Sequence, residues 1–162
     1  MRRWTMLVLG LIVTLFGTIG CAKQAEKPSA AELIEQYEAP PEAMAIVDNQ
    51  EIKLIKGSYR WRNSIADAPA PNDLVKDGIL YAVKPGATLT TDFYDLPPRT
   101  VSGGLWANQT NTPLPKQENK LLLPSEPGIY ILVINASWSD DDYATYAVKL
   151  EVLAAENTAD TQ

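Results

Sequence analysis

The sequence predicts an all-β domain, an antiparallel sandwich over residues 44–153. Three observations predict it. From Met44 onward, short apolar runs are punctuated by Pro, Gly and Asn roughly every ten residues. That stretch has almost no apolar periodicity of the helical kind. Its last third holds two long alternating segments, Gly128 to Trp138 and Tyr143 to Leu153, joined by the polar turn Ser139-Asp140-Asp141-Asp142.

The elements follow in order. Met44 to Val47 is a first strand and Asp48-Asn49-Gln50 a turn. Glu51 to Ile55 and Ser58 to Arg62 continue across Gly57, with aromatics and arginines of Tyr59-Arg60-Trp61-Arg62 on opposite faces. Asn63 to Asp77, with Pro69, Pro71 and Asn72, is a loop. Ile79 to Val83 is a strand, Lys84-Pro85-Gly86-Ala87 a tight turn, and Leu89 to Tyr94 the next strand. Pro97-Pro98 breaks the chain before Thr100 to Ala107, where Gly103-Gly104 predicts a bulge or bend. Asn108 to Asn119 is a polar loop and Leu121 to Leu123 a short strand. In the closing hairpin, Tyr130, Leu132, Ile134, Ala136 and Trp138 share one face. So do Tyr146, Val148, Leu150 and Val152.

Glu126-Pro127-Gly128-Ile129-Tyr130 resembles the tyrosine corner of immunoglobulin-like folds, in which a tyrosine hydroxyl bonds back to the chain. The resemblance makes Tyr130 a structural residue and the sandwich immunoglobulin-like.

The segment before Met44 reads differently. Arg2 and Arg3 precede an uncharged stretch from Trp4 to Gly20, which ends at Thr18-Ile19-Gly20-Cys21. A basic start, an apolar middle and small residues at the cut are the layout of a secretory signal. The last four residues resemble the lipobox of bacterial lipoproteins, with Thr18 where that family usually has Leu. The resemblance implies cleavage before Cys21, the chain's one cysteine, and a covalent lipid on its thiol. Two or more acyl chains make such attachment stable. The protein is then exported and membrane-anchored. With Ala22 after the cysteine, it sits in the outer membrane of a two-membrane bacterium. In a one-membrane bacterium it sits on the outer face of the cytoplasmic membrane. The alternatives are an uncleaved anchor, for which Trp4 to Gly20 is short, and an ordinary cleaved signal. Residues 21–43 form a tether with a short helix, in which Ser29 caps Ala31 to Glu38, Glu32 completes a capping box and Pro40-Pro41 stops it. Residues 154–162 are a polar tail that frays.

Composition removes whole classes of chemistry. The chain has no histidine, so neither Ser-His-Asp nor Cys-His catalysis has its imidazole base. Zinc sites built from His and Cys are equally missing. With one cysteine there is no intrachain disulfide. The formal charge is −6, and loss of Arg2 and Arg3 makes it more negative. An acidic chain without basic clusters is a poor nucleic-acid ligand.

A second resemblance covers residues 50–153. Lys56-Gly57-Ser58-Tyr59-Arg60-Trp61, Asp73-Leu74-Val75, Val83-Lys84-Pro85-Gly86, Pro127-Gly128-Ile129-Tyr130, Ala136-Ser137-Trp138 and the run Tyr146 to Val152 occur in that order. Together they resemble a small domain of uncharacterised lipoproteins in Bacillus-type bacteria. That family implies a fold and a location, and no activity.

Three groups are candidates for function. Asp140, Asp141 and Asp142 carry the oxygen ligands that calcium takes, with Asp92, Asp95 or Asp67 as helpers. Their alternative is a solvated turn that discourages edge association. Trp106 and Trp61, among many aromatics, could form a platform that stacks on sugar rings. Their alternative is the core. Arg60 and Arg62 could hold a carboxylate or phosphate, or pair with neighbouring acids. No spacing singles out a carboxylate pair for glycoside hydrolysis. The sequence therefore leads to a non-enzymatic envelope module that engages a protein partner or assembles with envelope components. The alternative is a module that binds cell-wall glycan.

Overall fold

A computed structural model describes residues 28–155. The signal segment, the lipobox and Cys21 lie outside the described residues, as does most of the tail. Two alternating segments become the central hairpin, β11 (Gly128–Ser137) and β12 (Tyr143–Val152), paired in register from Gly128↔Val152 to Ser137↔Tyr143. Their predicted inner faces are inner faces: Leu132, Ile134, Ala136 and Trp138 are buried, as are Tyr146, Val148, Leu150 and Val152.

This hairpin anchors the larger of two sheets. Beside β11 lies β7 (Thr100–Ala107), and beside that β8 (Thr110–Pro113). One side of β12 is shared. Its first half pairs antiparallel with β3 (Ile55–Trp61), which carries β4 (Ser64–Ala66) on its other edge. Its second half pairs in parallel with β5 (Leu80–Val83). The smaller sheet holds β1 (Met44–Val47), β2 (Gln50–Lys53), β6 (Thr88–Asp92), β9 (Lys116–Gln117) and β10 (Lys120–Leu122) in the order β2-β1-β6-β10-β9. The fold is thus an all-β sandwich. Its core lies between the sheets, where Ala45, Val47, Ile52, Leu89 and Leu121 meet Leu132, Ile134, Val148 and Leu150. Each fully buried aliphatic side chain contributes about 1.5–3 kcal/mol of transfer free energy.

Several stretches expected as loop are strands. The polar run after Ala107 contains β8 and β9, because its turns are two-residue turns of the kind that suits twisted hairpins. Asn108 and Gln109 both have positive φ (51° and 61°), as do Glu118 and Asn119 (47° and 67°). The β1–β2 turn is built the same way on Asp48 and Asn49. The Asn63–Asp77 stretch contains β4 and a short helix, α2 (Pro71–Leu74). The expected bulge at Gly103-Gly104 is also absent. Both glycines pair regularly with Ile134 and Val133, and they serve close approach instead. A Cβ on Gly103 would stand 2.5 Å from Leu121 Cδ1, and one on Gly104 would collide with Asn111 and with the Thr112 backbone. The irregular pairing is on β12, between Ala144 and Tyr146.

The tyrosine corner is present. Tyr130 donates its hydroxyl to the Glu126 carbonyl at 3.0 Å. Replacing Tyr130 by Phe lowers stability by about 1 kcal/mol, the net worth of one such bond. An unchanged denaturation midpoint would show the corner to be dispensable.

The segment expected as a solvated tether is part of the domain. Its helix, α1 (Ala30–Gln36), has the predicted capping box: Ser29 Oγ accepts from the Glu32 amide, and the Glu32 carboxylate accepts from the Ser29 amide at 2.7 Å. The Ser29 amide, and with it the Ser29 hydroxyl, donates to the Glu32 carboxylate and holds its pKa below the usual carboxylate value. Beyond them, Ile34 and Ala43 are buried in the main core. Trp61 donates its indole N–H to the Tyr37 carbonyl (2.9 Å), and Tyr146 its hydroxyl to the Pro41 carbonyl (2.7 Å). The first strand begins at Met44, and the chain from Ser29 to Ala43 packs onto the sandwich.

Burial raises the Tyr146 pKa well above the ordinary phenol value, with the nearby Glu42 charge adding to it. The native state holds this phenol neutral, while the unfolded chain ionises it at about pH 10. The stability it contributes is complete below that pH and is lost as pH rises above it. In an alkaline titration followed by circular dichroism, Tyr146→Phe flattens that loss.

Candidate functional site

A groove crosses the outer face of the larger sheet. It exists because α2 folds back over that face instead of leaving it to solvent. Pro71 starts α2 with its φ already helical and no N–H to satisfy. Leu74 and Val75 follow and pack on Val133 and Ala147, with Ile55, Trp106 and Ile131 around them. Val133 and Ala147 point away from the main core and are nonetheless buried (6% and 1% exposed). The sheet thus carries a second, smaller apolar cluster on its outer side.

Beside this cluster the floor is made of small residues. A Cβ on Gly57 would lie 2.6 Å from Thr145 Oγ1, so only glycine lets the strands and α2 close up there. The groove that results has a volume of about 300 Å³, at the small end of ligand clefts. One wall is the chain from Ala68 to Leu74, and the other is Trp106 with Asn111. The Pro-rich wall is bonded at its base to Ser58, which the floor residue Thr145 holds in turn. The Ala68 amide donates to Ser58 Oγ (2.9 Å), and Thr145 Oγ1 donates to the Ser58 carbonyl (3.1 Å). Trp106 donates its indole N–H to Asn72 Oδ1 (3.3 Å), which ties one wall to the other. Among the described residues the lining holds no Asp, Glu, Lys, Arg or Cys, and its one phenol, Tyr146, is engaged with Pro41.

The structure separates the predicted site residues. Trp106 is half-buried in this groove. Trp61 is not a surface platform: it is fully buried, edge-on to Trp138 with ring centroids 5.1 Å apart. The alternation of its strand with Arg60 and Arg62 already pointed inward.

The three aspartates at the hairpin tip do not converge. Asp140 pairs with Arg99 at 2.5 Å, and Asp141 with Arg60 at 3.5 Å. Asp142 turns back into the loop, accepting from Ser139 Oγ and from the Arg62 amide (both 2.6 Å). Its own amide donates to Ser139 Oγ at 2.9 Å. Of the proposed helpers, Asp92 caps the Tyr94 amide at 2.7 Å. Among the described residues no group of three or more His, Cys, Asp or Glu side chains is placed to hold a metal ion. The exposed ion pairs contribute little, about 0–1 kcal/mol each, while Asp142 shapes the turn. Arg62 reaches the Glu35 carbonyl (3.4 Å), and so helps dock α1.

Sequence reasoning missed the groove, because α2 lay in a stretch read as loop. The signal was there: Asp73-Leu74-Val75 follows Pro71 and Asn72, an apolar pair behind a helix start. No family model, no curated protein and no solved structure matches the chain. Among the described residues, no helix is long and apolar enough to cross a membrane.

Proposed function

We propose that this protein is a lipid-anchored, non-enzymatic module of the cell envelope whose sandwich engages a segment of a protein partner through the outer-face groove. The carrying observation is the groove itself: a preformed, mostly apolar channel walled by a proline-rich segment on one side and Trp106 on the other. Amides and hydroxyls of Asn111, Asn135 and Thr145 line it and can bond an extended backbone. A lining without carboxylates, amines or thiols supports recognition rather than acid–base or nucleophilic chemistry. The lipid on Cys21 confines the module to a membrane surface, where even a weak contact becomes effective.

The test is co-purification of the full chain from solubilised membranes. A partner held at constant stoichiometry by the native chain is lost from the Asn111→Trp variant, whose added ring fills the groove. Retention of the partner by that variant would refute the groove. A second substitution, Cys21→Ala, shifts the protein from the detergent phase to the aqueous phase, and failure to shift would refute the anchor. Trp106 in one groove with the side-chain amides of Asn111 and Asn135 also supports the glycan reading, since a ring with flanking amides suits a sugar. Co-sedimentation with peptidoglycan, abolished by Trp106→Ala, would put that reading first.

A further inference from the structure

The outer edge of β5 differs from those of the other outermost strands, β2, β4, β8 and β9. Edge strands expose unpaired backbone groups, and proteins blunt them with charge, proline or shortness. β2 carries Glu51 and Lys53, β4 has three residues, β8 ends in Pro113, and β9 is two residues long with Lys116. β5 is Leu80-Tyr81-Ala82-Val83, with neither charge nor proline along it. Ile79 and Leu80 next to this edge are 68% and 41% exposed. Ile129, two strands away on the same face, is 66% exposed.

The backbone direction is fixed by pairing. The Leu153 amide donates to the Val83 carbonyl at 2.9 Å. Alternation along a strand then turns the backbone groups of Tyr81 and Val83 towards β12, and those of Leu80 and Ala82 outward. Leu80 and Ala82 lie symmetrically about Tyr81. That arrangement is self-complementary under a two-fold axis.

We infer that β5 is a self-association edge, pairing antiparallel with β5 of a second copy so that the two larger sheets become continuous. Leu80 of each copy stands opposite Ala82 of the other, and each such pair exchanges both backbone hydrogen bonds. A large side chain meets a small one, twice. The flanking charges agree with this register. Leu80 lies in a row with Lys149 and Ile131, and Ala82 in a row with Glu151 and Ile129. Across the seam, therefore, the Lys149 row of one copy continues into the Glu151 row of the other. A parallel or shifted register would bring like rows together. This inference goes beyond the groove, which lies on other strands, and does not depend on it.

Two differently tagged full-length copies test it in cells. One carries Leu80→Cys and the other Ala82→Cys, and a mild oxidant is applied. The expected result is a mixed disulfide dimer several-fold above that of two native copies, which report any background from Cys21. A yield no higher than the native pair would overturn the inference. So would an adduct of Leu80→Cys with a protein of another mass in place of the dimer. A second measurement guards against misfolding of the cysteine variants. Energy transfer between fluorescently tagged copies is lost on Leu80→Lys, while the chain keeps its protease resistance. Transfer that persists in Leu80→Lys would also overturn it. Dimerisation that survives Asn111→Trp would separate this edge from the groove.

Discussion

Replacing Trp138 by alanine destabilises the sandwich by about 3–5 kcal/mol, the range for removing a large aromatic from a packed core. Trp138 joins the other aromatics. It stands edge-on to Trp61 at 5.1 Å and to Phe93 at 5.5 Å, and Phe93 in turn stands edge-on to Tyr146 at 5.6 Å. Such pairs are worth about 0.5–1.5 kcal/mol each beyond area burial. Its indole N–H is buried and donates to the Leu96 carbonyl at 2.8 Å, which ties the chain after β6 to the tip of the central hairpin. Trp138→Phe keeps a smaller ring and loses the donor, so its cost is smaller than that of Trp138→Ala. Denaturant unfolding of the two variants, both without the donor, measures what the remaining ring contributes by packing. Equal midpoints for Trp138→Ala and the native chain would contradict this picture of the core.

A chain that begins at Met44 is less stable than one that begins at Pro28 by on the order of 3 kcal/mol. Truncation removes Ile34 and Ala43 from the core. It also deletes the carbonyls of Tyr37 and Pro41, so the Trp61 indole and the Tyr146 hydroxyl both lose their acceptors. An unpaired buried donor costs about 1–3 kcal/mol, and part of that is recovered as water reaches the uncovered rings. Thermal unfolding compares the two chains. Equal transition temperatures would return residues 28–43 to the role of a spacer.

That second result marks where the sequence ran out. The strands were legible because a half-buried sheet writes its two faces into alternate residues, as in Tyr130 to Trp138. Thr100 to Ala107 is a strand over those residues. The α1 cap was legible too, since Ser29 and Glu32 are a local signal. What α1 packs against was not, because Trp61 and Tyr146 are far along the chain and nothing local records a backbone carbonyl as their partner. β8 and β9 were missed for a related reason. Their side chains are exposed and polar, so they show no alternation, and only the turn residues Asn108-Gln109 and Glu118-Asn119 betray them.

The candidate site divides the same way. A lone tryptophan near a glycine pair gave Trp106 as a surface ring. The groove around it depends on α2 crossing the sheet, a long-range event. The run of three aspartates suggested calcium only with helpers from another loop, because neighbouring residues diverge. Here they reach Arg99, Arg60 and the turn's own serine. Composition was more informative about chemistry than any motif, because the missing imidazole restricts the protein wherever the chain folds.

The measurement that tests the central claim most directly is site-specific photocrosslinking in living cells from the groove floor. A photoreactive side chain at Asn135 of the full-length protein is compared with one at Glu51, on the outer edge of the smaller sheet. The account predicts one discrete protein adduct from position 135 and none from position 51. Adducts of equal pattern from both positions, or adducts from position 51 alone, would contradict it.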